Sequence, residues 1–245
     1  GGGHSQPDNG TFDLYAGGRN LMPDAGSYIY SGNPEGRAWF RQTKVHQTLT
    51  LDGKNSKYEP RLLLWQPGDS LDVLVVENKS YEDLTHRRAI FFVEKRYFII
   101  VDEAIGSATG EVAIHFQLAP GTGDAPASSA DRVFNRVNNS VQTVFNQGWN
   151  VFVQTQPQPG LQLEEEEGWV SFKYTIKEPR PAFRYHLKKK SETSNVRFVT
   201  LVVPFENEVP EIQITGIEEK SDKTEIEVLE NGERREIIYT AASTR

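Results

Sequence analysis

Cysteine is absent from the 245 residues, which excludes disulfides and thiolate metal sites and leaves any metal to His, carboxylate or amide ligands. Long apolar runs are missing too. No stretch approaches the ~18 residues that a membrane-spanning helix needs, so no membrane contact is expected. Positive charge is in deficit, with a formal net charge of -7, and this argues against a nucleic-acid partner and, taken alone, against a receptor for a sulfated polyanion. The cluster Lys188, Lys189, Lys190 is a local exception whose simplest reading is a solvated strand end. No secretory leader is visible. Because the chain opens on Gly1-Gly2-Gly3-His4, in the middle of what reads as a site, its N-terminus is expected to be a cut edge.

What is present describes a globular β protein. The 37% hydrophobic and 25% charged residues suit a soluble folded chain. From Thr11 onward, short apolar or alternating segments recur at spacings of roughly 8 to 14 residues between Gly, Pro, Asn and Asp. The spacing predicts strands over residues 46–51, 61–65, 71–77, 88–94, 97–102, 111–118, 151–154, 170–176, 196–203 and 211–214. No convincing amphipathic helix competes with them. Two β-branched and aromatic runs flank Lys95-Arg96, which predicts a hairpin over residues 88–102. Residues 121–130 read as a loop, and the acidic run at residues 164–167 reads as a solvated turn. In the tail, charged residues alternate with Ile and Val around a turn at Glu230-Asn231-Gly232-Glu233. The expected fold is therefore all-β: a large antiparallel β-sandwich over residues 1–217, with a terminal β-hairpin or ribbon over residues 218–245 packed on the same domain.

Chemistry-bearing residues concentrate at the start, where His4, Gln6, Asp8, Asn9, Asp24 and His46 lie among Gly and Pro instead of in periodic strands. In extended chain, positions i and i+2 share a side, so His4 and Gln6 can face one centre. Asp24 and His46 stand at separations that a hairpin or sheet crossing can fold back onto it. Two His, one carboxylate and an amide oxygen are adequate ligands for a divalent ion. A hydrogen-bonded structural His and a turn-forming Asp24 would use the same residues.

The wording of three segments is more specific. His4-Ser5-Gln6-Pro7-Asp8-Asn9-Gly10-Thr11-Phe12, Pro23-Asp24-Ala25-Gly26-Ser27-Tyr28 and Trp39-Phe40-Arg41-Gln42-Thr43-Lys44-Val45-His46-Gln47-Thr48-Leu49 closely resemble the heparinase II/III family, nearest its heparinase III branch. The resemblance is strong over residues 1–52 and continues as strand pattern beyond. It implies the C-terminal β-sandwich of a polysaccharide lyase that cleaves uronic-acid glycans by β-elimination, with heparan sulfate implied by the heparinase III-like wording. It also implies a partner α/α toroid domain on the N-terminal side, an acidic polysaccharide substrate, and a bacterial periplasmic or secreted location. By position, His4 matches the family's active-site His, and Gln6, Asp24 and His46 match its metal ligands. Many members carry His-x-His where this chain has His4-x-Gln6. An amide oxygen suits harder ions as well, so the divalent metal can be zinc or calcium. Asn9, Tyr30, Trp39 and Arg41 are candidate sugar contacts: Trp39 as a stacking face, Arg41 for a carboxylate or sulfate, the others as hydrogen-bonding groups. His115 reads as a core or sheet-face residue, and His86 and His186 receive no role. The alternative is a non-catalytic carbohydrate-binding sandwich in which the metal is only a staple.

Overall fold

The computed structural model describes residues 5–121, 132–219 and 223–239. His4 lies outside them, as does all of the expected loop at 121–130 except Gly121. A small hairpin of β1 (Leu14–Ala16) and β2 (Arg19–Met22) comes first, followed by a short helix α1 (Pro34–Phe40) and a 3-10 turn at Thr43–Val45. The large sheet has eight strands. Their order is β4 (Pro60–Gln66), β5 (Leu71–Tyr81), β6 (Leu84–Val93), β7 (Tyr97–Ile105), β16 (Val196–Phe205), β11 (Asn150–Thr155), β10 (Ser140–Thr143) and β9 (Arg132–Asn135). A second sheet orders β12 (Gln162–Glu166), β15 (Ala182–Lys189), β8 (Gly110–Gln117) and β3 (Leu49–Leu51). All pairings are antiparallel, and the two sheets form the expected sandwich.

Alternation along the central strands sets the layers. In β7, Phe98 and Ile100 face the core shared with Ile114, Phe116, Phe183 and Tyr185 of the smaller sheet. Tyr97, Ile99 and Val101 face the opposite way. There they meet Ile212, Ile214, Ile226, Val228 and Ile237 of a third sheet, formed by β17 (Ile212–Glu219), β18 (Thr224–Glu230) and β19 (Glu233–Tyr239). Strands covered on both faces must be apolar at nearly every position, and β7 and β16 are. The tail read as a two-stranded ribbon is thus three-stranded, because the segment expected at 211–214 pairs with β18.

The hairpin over 88–102 forms, with Arg96 N donating to Val93 O at 2.9 Å and positive φ at Glu94 and Lys95. Two positive φ values match the twist of the flanking strands. Three local expectations are corrected. The acidic residues 164–167 are not a free turn: β12 pairs with β15, which places Arg184 against Glu164 at 2.7 Å. The expected strand at 170–176 breaks into β13 (Trp169–Lys173) and β14 (Ile176–Pro179), with Thr175 at φ 65 between them. A helix does occur, since Asn33 Oδ1 accepts Gly36 N at 2.8 Å and Pro34 opens the first turn. At seven residues it is too short for a periodic signal.

Candidate metal centre

Residues 5–13 have almost no regular structure, and side-chain donors from later segments satisfy their carbonyls instead. Arg41 Nη2 donates to Ser5 O at 2.8 Å, Thr43 Oγ1 to Pro7 O at 2.7 Å and Thr48 Oγ1 to Asn9 O at 2.8 Å. Gln47 Nε2 bridges Phe12 O at 2.7 Å and Met22 O at 3.0 Å. The loop is therefore laid onto residues 41–48, the stretch that also carries His46.

This docking brings Asp8, Asp24 and His46 together, with one candidate ligand atom from each lying within 4.8 Å of the others. His46 is 1% exposed, and its Nδ1 lies 2.9 Å from Gln42 O. A carbonyl can only accept, so Nδ1 carries a proton, and Nε2 is the ring nitrogen turned toward the carboxylates. That Nε2 is buried without a hydrogen-bond partner, 3.4 Å from Asp24 Oδ2. Asp24 Oδ1 is fixed by Gly26 N at 2.7 Å, which leaves Oδ2 for the centre. Gln6 Oε1 is likewise buried and unpartnered. A buried polar atom without a partner is costly, and a cation held by Asp8, Asp24 and His46 would supply one for Nε2.

The charge balance points the same way. Burial, with a smaller contribution from Asp24, raises the Asp8 carboxyl above its ordinary range, while His46 opposes the rise. Asp13 is raised by burial and Asp24. The cation Arg180 lies behind the cluster, donating to Pro23 O and, at 3.2 Å, to Val45 O. It thereby holds the two ligand-bearing stretches side by side. Burial lowers its pKa, against the pull of Asp24 and Asp13. Asp8, Asp13 and Asp24 outnumber the one guanidinium behind them, a balance that favours a divalent cation at the cluster. The donors brought together are one imidazole nitrogen and two carboxylates, which serve zinc or a harder ion alike.

The structure thus brings together Asp24 and His46 of the expected ligand set and adds Asp8, which the sequence reading passed over. The spacing Gln6-x-Asp8 carried that signal, since both share a side of extended chain. The expected sugar contacts are more dispersed. Asn9 Nδ2 reaches Lys57 O at 3.4 Å, and Arg41 is engaged with Ser5 O. Trp39 is half-buried edge-on to Phe40, ring centroids 4.8 Å apart. Tyr30 is 50% exposed and stacks on Tyr174 at 6.1 Å. Lys177 sits 3.9 Å over Trp169, so the β13–β14 hairpin forms an aromatic and cationic rim. Two backbone bonds join this rim to the Asp24 loop: Ser171 N to Ala25 O at 2.9 Å and Thr175 N to Tyr28 O at 2.8 Å.

A second polar network looks catalytic and is not. His115 places Nε2 2.8 Å from Thr50 Oγ1 and Nδ1 2.6 Å from Glu166 Oε2, the connectivity of a nucleophile, base and acid. Thr50 is 0% exposed in the middle of β3, where no substrate can reach it. His115 is a sheet residue, as its alternation suggested.

An all-β sandwich with a carboxylate and histidine centre at the edge of one sheet matches a known class. The family model described as heparinase II/III-like, C-terminal, matches residues 1–229, and the chain belongs to that family. It is 38% identical over 243 residues to the heparin-sulfate lyase of Pedobacter heparinus, covering 96% of this chain and 36% of that protein. It is also 38% identical to the heparin-sulfate lyase of Bacteroides stercoris, covering 96% of this chain and 35% of that one. Among solved structures, the heparan sulfate lyase HepC of Pedobacter heparinus superposes with a TM-score of 0.87 at 36% identity, over 99% of this chain and 38% of that one. The chain spans little more than a third of the relatives it matches.

Proposed function

We propose that this chain is the C-terminal β-sandwich part of a polysaccharide lyase that cleaves a uronic-acid glycosaminoglycan, heparan sulfate above all, by β-elimination. The observation that carries the proposal is the buried Nε2 of His46, without a hydrogen-bond partner beside Asp8 and Asp24, in a chain so similar to heparin-sulfate lyases. Elimination removes the proton at C5 of the uronic acid, whose carboxylate resists further negative charge. That carboxylate must be neutralised, a base must reach C5, and an acid must protonate the leaving glycosidic oxygen.

His4 supplies carboxylate neutralisation or proton transfer from this side of the cleft. Asn9 on this loop, Arg41 after α1 with its guanidinium docked on Ser5 O, and Tyr30 and Trp39 are the proposed sugar contacts. Gln6, Asp8, Asp24 and His46 hold a divalent cation, zinc or calcium, whose charge fixes the loop that presents His4. The remaining acid-base groups, a Tyr and an Asn in the family, belong to an N-terminal α/α toroid. The location is bacterial, periplasmic or secreted, as expected of an enzyme acting on an extracellular polymer.

The test is the His4→Ala variant of the full-length protein, with unsaturated product followed by ultraviolet absorbance. Turnover is expected to fall ~100 to 10,000-fold with the fold intact, because a positioned acid-base group has been removed. Undiminished turnover would refute the role of His4. In Asp24→Asn and His46→Gln proteins, elemental analysis should find the bound metal gone; full occupancy would refute the ligand set. If the whole protein binds heparan sulfate and releases no unsaturated product, the carbohydrate-binding reading replaces the lyase one.

A further inference from the structure

A cleft of about 700 Å³ opens at the far end of the four-stranded sheet, lined by His186, Lys188, Lys189, Lys190, Ser191 and Ser194 among others. Its volume is in the range of small-molecule sites. Strand β8 connects it to the metal centre: Glu111 borders the cleft, while Gln117 Nε2 reaches Lys44 O at 3.3 Å beside the ligand-bearing stretch. At ~3.3 Å per strand residue the two ends lie ~20 Å apart. The cleft is separate from the candidate active site.

Lys189 is its unusual member. Lys188 and Lys190 are exposed, as a solvated strand end requires, but Lys189 is only 2% exposed. Its Nζ donates to Ser191 O at 2.6 Å. An ammonium has three donors and no acceptor, and burying one without a counter-charge is costly. Among the described residues, no carboxylate stands within ion-pair distance of any of the three lysines. Glu111, which faces Lys188 in register, is already engaged: Oε1 with Arg184 Nη1 at 2.8 Å and Oε2 with His186 Nδ1 at 3.2 Å. The cleft therefore carries uncompensated positive charge, which suits an anion.

Its chemistry can be narrowed further. Carboxylates are best matched by the planar fork of Arg, and no Arg lines this cleft, whereas ammonium groups act as point charges on oxyanions of any orientation. Ser194 adds a hydroxyl, while Ser191 Oγ is engaged with Thr193 Oγ1 at 3.0 Å. We propose that the cleft is a second, non-catalytic subsite that holds a sulfate ester of an acidic polysaccharide. The choice of polymer rests on the lyase reading above; the oxyanion preference rests on the cleft alone. A long chain held here raises its own local concentration at the metal centre, which a short oligosaccharide cannot do.

Calorimetric titration of the full-length protein tests this, with heparan sulfate chains, the same chains after desulfation, and inorganic sulfate as ligands. The variants are Lys188→Ala/Lys190→Ala, Lys189→Met, which keeps an unbranched buried side chain, and a control pair Lys54→Ala/Lys79→Ala with the same charge loss as the double cleft variant. Affinity for sulfated chains should fall about tenfold in both cleft variants and less than about twofold in the control, with desulfated chains binding weakly throughout. Cleavage of a short oligosaccharide should be unchanged in all three. An equal loss in the control pair overturns the subsite in favour of diffuse charge. So does undiminished binding in the cleft variants, and equal binding of desulfated chains overturns the sulfate preference. Loss of inorganic sulfate alone overturns the glycan. Absence of elimination by the wild type would remove the lyase reading and leave these binding results standing.

Discussion

Arg88 and Asp102 show how much of the candidate site depends on residues that never face it. Both side chains are fully buried, and Arg88 grips Asp102 through Nε at 2.6 Å and Nη2 at 3.0 Å. Its remaining Nη1 donates to Gly10 O at 2.7 Å and Gln47 O at 2.5 Å. One guanidinium thus ties the big sheet to both stretches of the metal loop. His86 completes the cluster, with Nε2 2.6 Å from Asp102 Oδ1. Burial lowers the pKa of His86 despite Asp102, and Asp102 itself, though burial opposes it, is held below the usual carboxylate range by Arg88 and His86. Both folded-state values lie below their unfolded ones, so both groups contribute stability at neutral pH that is lost on acidification. For His86 the loss begins as pH falls below about 6.5, where the unfolded chain takes up the proton and the folded one does not. Urea unfolding across pH 7 to about 4.5 should therefore show stability falling in the wild type and falling less steeply in His86→Gln. Parallel curves would show that another group sets the slope.

Among the elements, the strands legible in sequence were those whose burial imposes a pattern. β7 and β16 announce themselves because both faces are covered. β12 did not, because its carboxylates are matched by Arg184 and Arg132, which lie elsewhere in the chain. The β13–β14 hairpin illustrates a further limit, since its role is to brace the Asp24 loop across a contact of distant segments. Gly26 sits at that contact with φ +79, and a Cβ there would lie 2.3 Å from Ser171 O. Gly26→Ala should lose about 1–2 kcal/mol from the left-handed backbone alone. It should also part the hairpin from the loop. Metal affinity, measured by competition with a chelating dye, is expected to drop about tenfold as the support of Asp24 loosens. An unaltered affinity would show that the hairpin does not position the ligand.

At the scale of the whole molecule, the layers explain what this chain can and cannot do alone. The sandwich and the third sheet supply two buried cores, one on each face of the large sheet, so the 245 residues are expected to fold as isolated. The proposed reaction needs groups on both sides of a sugar, and on that proposal this chain contributes one side. The isolated chain should therefore bind metal yet release no unsaturated product, and adding the N-terminal part should restore elimination. Turnover by the chain alone would place the whole catalytic set within it.

The β-sandwich class and the stretches bearing Asp24 and His46 were determined by the sequence itself, because strand periodicity and short polar motifs are local properties of the chain. The tertiary structure decided the rest. Only folding showed that Asp8 joins the centre, that His46 Nε2 is left without a partner, that Arg88 and Arg180 hold the ligand loops, and that Lys189 is buried. Each of these depends on the meeting of residues tens of positions apart, and the burial and electrostatics that give them meaning arise only when the sheets close over one another.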